Sequence, residues 1–139
     1  MKQATKSISI STNGPGLTDF TGTVADWVKA QGMDEGLLTL FVKHTSASLL
    51  IQENADPDVQ RDLQTFFEHL APWDLSLYRH TAEGEDDMPA HIRSAVTQTS
   101  LSIPIIDARL ALGTWQGIYL FEHRAQGQSR NVVLHLMGN

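Results

Sequence analysis

Apolar and polar residues alternate near the start of the chain. Residues 6–11 place two isoleucines between serines, and this period of two predicts a half-buried strand. The glycine- and proline-containing run 13–16 ends that strand. Apolar residues then recur at three- and four-residue spacing, which predicts a helix capped by Thr18 or Asp19 and ending near Gly32.

The next segment predicts two strands and a second helix. Residues 36–44 are almost continuously apolar, as in a strand that is covered on both faces, and residues 48–52 form its partner. Asp56 is the N-cap of a helix that has Pro57 at its first position. Up to Pro72, the residues expected to form the buried stripe of this helix are Val59, Leu63, Phe66, Phe67 and Leu70.

The last third of the chain is rich in predicted strands. Residues 100–110, 114–124 and 130–137 have the composition of strands and are separated by turn residues. Pro104 cannot donate to a sheet, so the first of these strands is either at an edge or interrupted there. Together the elements predict an α+β fold, mainly an antiparallel β sandwich with a few packed helices, in a single domain spanning residues 1–139.

The composition narrows the chemistry that the chain can perform. It has 139 residues, 41% hydrophobic and 19% charged, with a formal net charge of -6 and no cysteine. Thiolate nucleophiles and cysteine-bound metals are therefore excluded, and His, Asp and Glu remain as metal ligands. Lys and Arg form no basic stripe, so nucleic acid is not an expected partner. Without a predicted membrane span or leader segment, we expect a cytoplasmic protein.

The segment 78–93 concentrates ionisable residues. It contains two histidines and four acidic residues, and it includes the start of a short helix that is predicted to begin at Met88 or Pro89 and to run to about Gln98. Neighbouring carboxylates repel one another unless a cation or a proton relieves them. Asp87 and His91 are four residues apart, so they either ligate one cation, or Asp87 caps the helix and orients His91. The alternative is a solvated acidic loop followed by an ordinary cap.

One further group of polar residues follows a predicted strand, and another precedes a predicted helix. His44 ends an apolar strand and is followed by Thr45 and Ser46, whose hydroxyls can donate to phosphate or carboxylate oxygens. The alternative for His44 is a core histidine followed by a polar turn. Glu53 and Asn54 precede the helix at Asp56 and either bind a substrate amine or hydroxyl or point to solvent.

The strand 114–124 ends in three ionisable residues. Strand alternation puts Glu122 and Arg124 on one face and His123 on the other. We therefore expect His123 to face a cleft together with His44. Glu122 and Arg124 are expected to pair with each other or across an interface.

Several of these blocks together resemble the YjbQ family, also called UPF0047. The blocks that carry the resemblance are His44-Thr-Ser-Ala-Ser-Leu, Glu53-Asn-Ala-Asp-Pro57, His80 with Glu83-Gly84, Asp86-Asp-Met-Pro-Ala-His91, and Gly113-Thr-Trp-Gln-Gly117 with Glu122-His-Arg124. The resemblance implies a compact α+β homotrimer with a histidine- and carboxylate-rich site that holds a divalent metal. It also implies secondary thiamine-phosphate synthase activity, as a main or a side reaction, in which a pyrimidine pyrophosphate and a thiazole phosphate condense and pyrophosphate is released. The chain departs from the pattern at Ala108, where glycine is expected before Arg109.

Residue chemistry and resemblance together give a set of candidate roles. The metal, Zn, Mg or Mn, is assigned to His44, His91 and His123; the catalytic residues are His80, Asp87 and Glu53; and the substrate-binding residues are Thr45, Ser46, Asn54 and Arg124. The expected substrate is a small phosphorylated metabolite. Two alternatives stay open: a metal-dependent hydrolase of a small metabolite, and a trimeric module that binds a metabolite or metal without catalysis.

Overall fold

The computed structural model describes residues 1–139 and contains eight strands, three α-helices and one 3₁₀ helix. The strands are β1 (Lys2–Ser11), β2 (Gly16–Asp19), β3 (Gly36–Val42), β4 (Ala47–Glu53), β5 (Ser100–Ile106), β6 (Arg109–Leu110), β7 (Gln116–Glu122) and β8 (Ser129–Gly138). The helices are α1 (Thr21–Ala30), α2 (Pro57–Leu70) and α3 (Asp87–Ala95), and the 3₁₀ helix is Leu75–Leu77. None of the helices combines the length and apolarity needed to cross a lipid bilayer.

The strands form two sheets in which every pair is antiparallel. The larger sheet has the order β1-β8-β3-β5-β6, and the smaller one has the order β2-β7-β4. Strand β8 lies between the first and third strands, so that Leu136 pairs with both Ala4 and Leu38. The predicted α+β fold with mainly antiparallel strands is confirmed.

The core lies between the inner faces of the two sheets and helix α1. Strand β3 contributes Leu38, Leu40 and Val42, all of them buried, and α1 contributes Val24 and Val28. Burial of an aliphatic side chain of this size contributes roughly 1.5–3 kcal/mol, so this layer holds the sheets together. It also fixes the ends of β3, β4 and β7, where the candidate site residues begin.

The predicted burial of two elements was wrong. Strand β3 alternates, and Leu37 and Phe41 on its outer face are each 48% exposed, so the strand is not covered on both faces. In helix α2 only Phe67 is buried, while Phe66 and Leu70 are exposed. An apolar run shows that a segment forms an element, but it does not show whether a second layer covers the outer face.

Helix starts were predicted with mixed success. Asp56 is the N-cap of α2, as predicted, because its side chain accepts a hydrogen bond from the backbone N–H of Asp58 at 2.9 Å. Strand β2 was missed, and α1 begins only at Thr21, whose N–H and hydroxyl both donate to the carboxylate of Asp19. In α3, Asp87 is the first helical residue rather than the cap, which leaves its side chain free for the site.

The predicted strand 100–110 is a hairpin formed by β5 and β6. Its turn is made by Asp107 and Ala108, which have positive φ angles of 51° and 60°, as a two-residue primed turn requires. An alanine in the left-handed region costs roughly 1–2 kcal/mol, which explains why glycine is expected at position 108. Pro104 lies within β5 where that strand has only β3 as a neighbour, so the strand is not interrupted.

Candidate metal and substrate site

Three side chains converge at the start of helix α3. His80 Nε2 lies 2.7 Å from Asp87 Oδ2, and His91 Nε2 lies 3.1 Å from the same oxygen. One ligand atom from each residue lies within 4.8 Å of the other two. Asp87 is buried, whereas the side chains of His80 and His91 are 43% and 34% exposed. The cluster is thus anchored in the protein on one side and open to solvent on the other.

Local chain geometry brings these three residues together. Asp87 and His91 are one turn apart on α3 and share a helical face. His80 comes from the loop that follows the 3₁₀ helix, and this loop turns back through Gly84, whose φ of 107° is unfavourable for residues with a Cβ. The acidic segment therefore folds back on its own helix, as its two histidines at opposite ends suggested.

Arg124 holds the acidic loop in place. Its Nε donates to Asp86 Oδ2 at 2.9 Å, its Nη1 donates to Asp87 Oδ1 at 2.8 Å, and its Nη2 donates to the carbonyl of Glu83 at 3.1 Å. The backbone N–H of Ala125 also donates to Asp86. One guanidinium thus orients both carboxylates and leaves Asp87 Oδ2 directed at the histidines.

These contacts keep both carboxylates ionised. Burial alone would raise the pKa of Asp87, but the hydrogen bond from His80 and the charges of His91 and Arg124 outweigh burial and lower it. In Asp86 burial is likewise outweighed, by hydrogen bonds from Ala125 and Arg124, and the pKa is lowered. The hydrogen bond to Asp86 raises the pKa of Arg124. The two carboxylates and one guanidinium leave a net negative charge where the histidines converge.

The hydrogen bonds of His91 leave two acceptor atoms facing each other. Its Nδ1 lies 3.0 Å from the carbonyl oxygen of Thr45, which can only accept, so Nδ1 carries a hydrogen. In a neutral ring Nε2 then presents a lone pair to Asp87 Oδ2, which is also an acceptor. This contact is attractive only if His91 takes a second proton or if a cation lies between the two atoms.

A cleft of about 680 Å³ adjoins the cluster. His91 lines it together with the end of strand β3 and the turn after it, and the lining residues with polar side chains are Lys43, His44, Thr45, Ser46, His91, Ser94 and Thr99. The predicted substrate-binding residues Thr45 and Ser46 thus lie in one cleft with His91. Lys43 was missed by sequence reasoning, although its position beside His44 at a strand end was the available signal.

His44 is not part of the metal cluster. Its Nε2 accepts a hydrogen bond from the backbone N–H of Asn131 at 2.8 Å, so the lone pair of that nitrogen is already used. Its Nδ1 faces Arg130 at 3.4 Å. Burial and the nearby charge of Arg130 lower the pKa of His44. The structure therefore places His44 on the cleft wall as an acceptor and not as a ligand beside His91.

His123 is fully buried and is also separate from the cluster. Its Nε2 is hydrogen bonded to the hydroxyl of Ser48 at 2.9 Å, and its ring packs against Phe121 with centroids 4.4 Å apart. Burial, together with the charges of Arg93 and Arg130, lowers the pKa of His123 to about 3. The predicted set of His44, His91 and His123 is therefore not brought together, and the expectation that His123 faces the cleft was wrong.

Glu122 and Arg124 do not pair with each other through their side chains, which was one of the two predicted arrangements. Glu122 is buried and forms an ion pair with Arg130, and its Oε1 accepts from Arg130 Nε at 2.8 Å and from the hydroxyl of Thr12 at 2.7 Å. Arg124 reaches the acidic loop instead. Strand alternation did not give the partners on neighbouring elements.

Glu53 and Asn54 lie apart from the cluster. Glu53 Oε2 accepts from the backbone N–H of Asp56 at 2.8 Å, so this carboxylate stabilises the turn that precedes α2. Asn54 is exposed, and its amide reaches the carbonyl of Thr114 at 3.5 Å. Neither residue lines the cleft beside His91.

Comparison with known proteins agrees with this architecture. Residues 6–139 match the family model described as UPF0047 protein YjbQ-like. The chain belongs to the UPF0047 family. Among UPF0047 members, a protein of Synechocystis sp. is 53% identical over 137 residues, covering 99% of this chain and 93% of the relative. YjbQ of Salmonella typhimurium is 43% identical over 136 residues, covering 96% of each chain.

Solved structures extend the agreement to the backbone. A YjbQ/UPF0047 family protein of Clostridium acetobutylicum is 34% identical and superposes with a TM-score of 0.86, covering 95% of this chain and 99% of that one. A hypothetical protein of Aeropyrum pernix is 30% identical with a TM-score of 0.89, covering 98% and 99%. The names of the Synechocystis, Salmonella and Clostridium proteins state a family and no reaction.

Proposed function

We propose that this UPF0047 protein is a divalent-metal-dependent enzyme that acts on a small phosphorylated metabolite. The observation that carries the proposal is the convergence of His80, Asp87 and His91, whose ligand atoms lie within 4.8 Å of one another. Two imidazole nitrogens and one carboxylate oxygen fit Zn²⁺ and other first-row divalent ions, and three protein ligands leave a position open for substrate or water. The proposed metal ligands are therefore His80, Asp87 and His91 in place of His44, His91 and His123.

The surroundings of the cluster fit a cation. The acceptor-to-acceptor contact between His91 and Asp87 is relieved by a positive ion, and the acidic loop supplies excess negative charge. Thr45 fixes the His91 tautomer and Arg124 fixes the carboxylate, which are the supporting contacts that tune metal sites. When bound, a divalent ion supplies Lewis-acid stabilisation of charge on a phosphoryl oxygen.

The residues of the cleft have roles in holding the substrate. Lys43 and the hydroxyls of Thr45 and Ser46 can donate to phosphate oxygens beside the cluster. The cleft volume of about 680 Å³ falls within the range of small-molecule sites. These features support the finer proposal of a thiamine-phosphate synthase type of transfer, in which a pyrimidine pyrophosphate joins a thiazole phosphate. The exposure of His80 to solvent favours hydrolysis as the second candidate.

Metal analysis tests the first step of this proposal. Wild-type protein incubated with Zn, Mn or Mg salts and then desalted is expected to retain near-stoichiometric metal. His91→Ala is expected to lose it, because it removes one of three ligands. His69→Ala is the matched control, since His69 is exposed on helix α2 and does not belong to the cluster, and it should leave metal content unchanged. Equal metal content in the His91 variant and the wild type, or none in either, would contradict the proposed site.

Pyrophosphate release tests the reaction. With metal present, the transferase is expected to release pyrophosphate only when both the pyrimidine pyrophosphate and the thiazole phosphate are supplied. His91→Ala should reduce the rate at least about tenfold, as expected from lost transition-state charge stabilisation. Phosphate or pyrophosphate released from one substrate alone would favour the hydrolase, and no turnover with measurable metal binding would leave the non-catalytic module.

Two further properties belong to this proposal. A homotrimer is supported by the exposed apolar side chains on the outer face of the five-stranded sheet, where Leu37 pairs with both Pro104 and Met137. Such a patch on a protein surface is typical of association with another chain.

A cytoplasmic location is the other property, and it accords with the absence of cysteine.

A further inference from the structure

Arg93 is a buried cation that forms no direct ion pair. It lies on the side of α3 away from His91 and is 2% exposed. Its guanidinium makes one hydrogen bond, from Nη2 to the carbonyl of Ala71 at 2.9 Å, and its buried Nε has no partner. None of the ion pairs in the molecule includes Arg93. Because a buried charge is costly unless it is paired, this arrangement calls for an anion.

The guanidinium borders a half-open cavity of about 270 Å³. The cavity lies between helix α2, the loop after it and α3, and it is lined by Pro15, Gln64, Glu68, Pro72, Trp73 and Arg93. The amide oxygen of Gln64 is also buried without a hydrogen-bond partner. Gln64 and Arg93 each carry a buried unpartnered polar atom and both line this cavity, which indicates a site for a polar ligand.

From these contacts we infer that the cavity between α2 and α3 binds a small planar monocarboxylate. The carboxylate accepts hydrogen bonds from Arg93, and rotation of the Gln64 side-chain amide presents its NH₂ group as a further donor. Trp73 and the two prolines line the cavity and supply apolar contacts for a ring. This site is separate from the metal cluster, because none of its lining residues lines the cleft beside His91.

The charge and size of the cavity favour a monocarboxylate over a phosphate. Glu68 lines the same cavity, and its negative charge acts on Arg93. A phosphate group carries roughly two negative charges near neutral pH and would be repelled more strongly by Glu68 than a carboxylate. A volume of about 270 Å³ is just below the usual range of ligand pockets, which suits a single ring.

Calorimetric titration of the full-length protein with sodium benzoate at constant ionic strength tests this inference. Saturable one-site binding is expected, with affinity reduced at least about tenfold in Arg93→Met, as loss of a charge-assisted hydrogen bond predicts. Arg109→Met, an exposed arginine on the β5–β6 hairpin, is the matched control and should bind benzoate as the wild type does. Cyclohexanecarboxylate, which has the same charge but is not flat, should bind more weakly than benzoate.

Several outcomes would overturn the site. No saturable benzoate binding, or equal binding in Arg93→Met and wild type, would mean that the cavity holds only solvent. Binding of inorganic phosphate but not benzoate would overturn the carboxylate assignment. If Arg93→Met does not fold, Trp73→Ala in the same titration replaces it, because Trp73 is partly exposed and supplies one wall. Unchanged benzoate affinity in that variant would also contradict the proposal.

Discussion

Replacing Arg130 with methionine is expected to lower the free energy of unfolding by about 3–5 kcal/mol, the cost of leaving a buried charge without its partner. Glu122 has no exposed surface, and Arg130 is 4% exposed. Arg130 supplies Glu122 with its only neutralising charge through Nε and Nη2, and Arg130 Nη2 also donates to the carbonyl of Ser46 at 3.1 Å. Urea denaturation of wild type and variant measures the difference.

Two controls separate charge from packing in this experiment. Arg61→Met removes an arginine of an exposed ion pair with Asp58 and is expected to change stability by no more than about 1 kcal/mol. The double variant Glu122→Gln with Arg130→Met leaves no buried charge, so it should be more stable than Arg130→Met alone by more than about 1 kcal/mol. A double variant that is less stable than Arg130→Met would show that packing, not the unpaired carboxylate, determines the loss.

Acid is expected to destabilise the fold through His123. Its pKa is lowered to about 3 in the folded protein, mainly by burial, whereas an unfolded histidine titrates near 6.5. Between these two values the unfolded chain binds one proton more than the folded chain, so stability falls as pH falls. The slope of the free energy of unfolding should approach about 1.4 kcal/mol per pH unit below pH 6, which amounts to a loss of roughly 2 kcal/mol between pH 6.5 and 4.5.

The pH dependence of a His123→Gln variant identifies the source. This variant keeps a side-chain group for Ser48 but cannot take up a proton in that range, so its stability should change less steeply with pH. His44→Gln tests the other histidine with a lowered pKa. Glu122 contributes at lower pH: burial would raise its pKa, but hydrogen bonds from Arg130 and Thr12 lower it, so its stabilisation is lost as pH falls below about 4.5. Identical slopes for wild type and His123→Gln between pH 6.5 and 4.5 would contradict this assignment.

Sequence patterns predicted the larger elements because those elements depend on local residue order. The Asp56-Pro57 start of α2 and the alternation in β1 were recovered, since capping and period-two patterning act within a few residues. Strand β2 was missed because its four residues contain no such pattern. The exposed faces of β3 and α2 were misjudged because exposure depends on which layer lies opposite, and local order does not determine that.

The candidate site was also predicted only where its residues are close together in the sequence. His80, Asp87 and His91 belong to one short segment, and the sequence identified all three as site residues. His44 and His123 come from strand ends, where pattern gives the direction of a side chain but not its depth or its partners. The backbone N–H of Asn131 donates to His44 Nε2, and the hydroxyl of Ser48 is hydrogen bonded to His123 Nε2. Both partners are distant in sequence. Only the folded structure could remove these two histidines from the metal set.

The position of β8 between β1 and β3 has a consequence for biosynthesis. Strand β1 has no other partner in its sheet, and residues 129–138 leave the ribosome long after β1 and β3 have been made. The edge of β1 that pairs with β8 therefore stays unpaired until the rest of the chain has been translated. Pairings between such distant segments form slowly and expose strand edges in the meantime. Nascent chains of this protein are expected to need protection from aggregation until translation is complete.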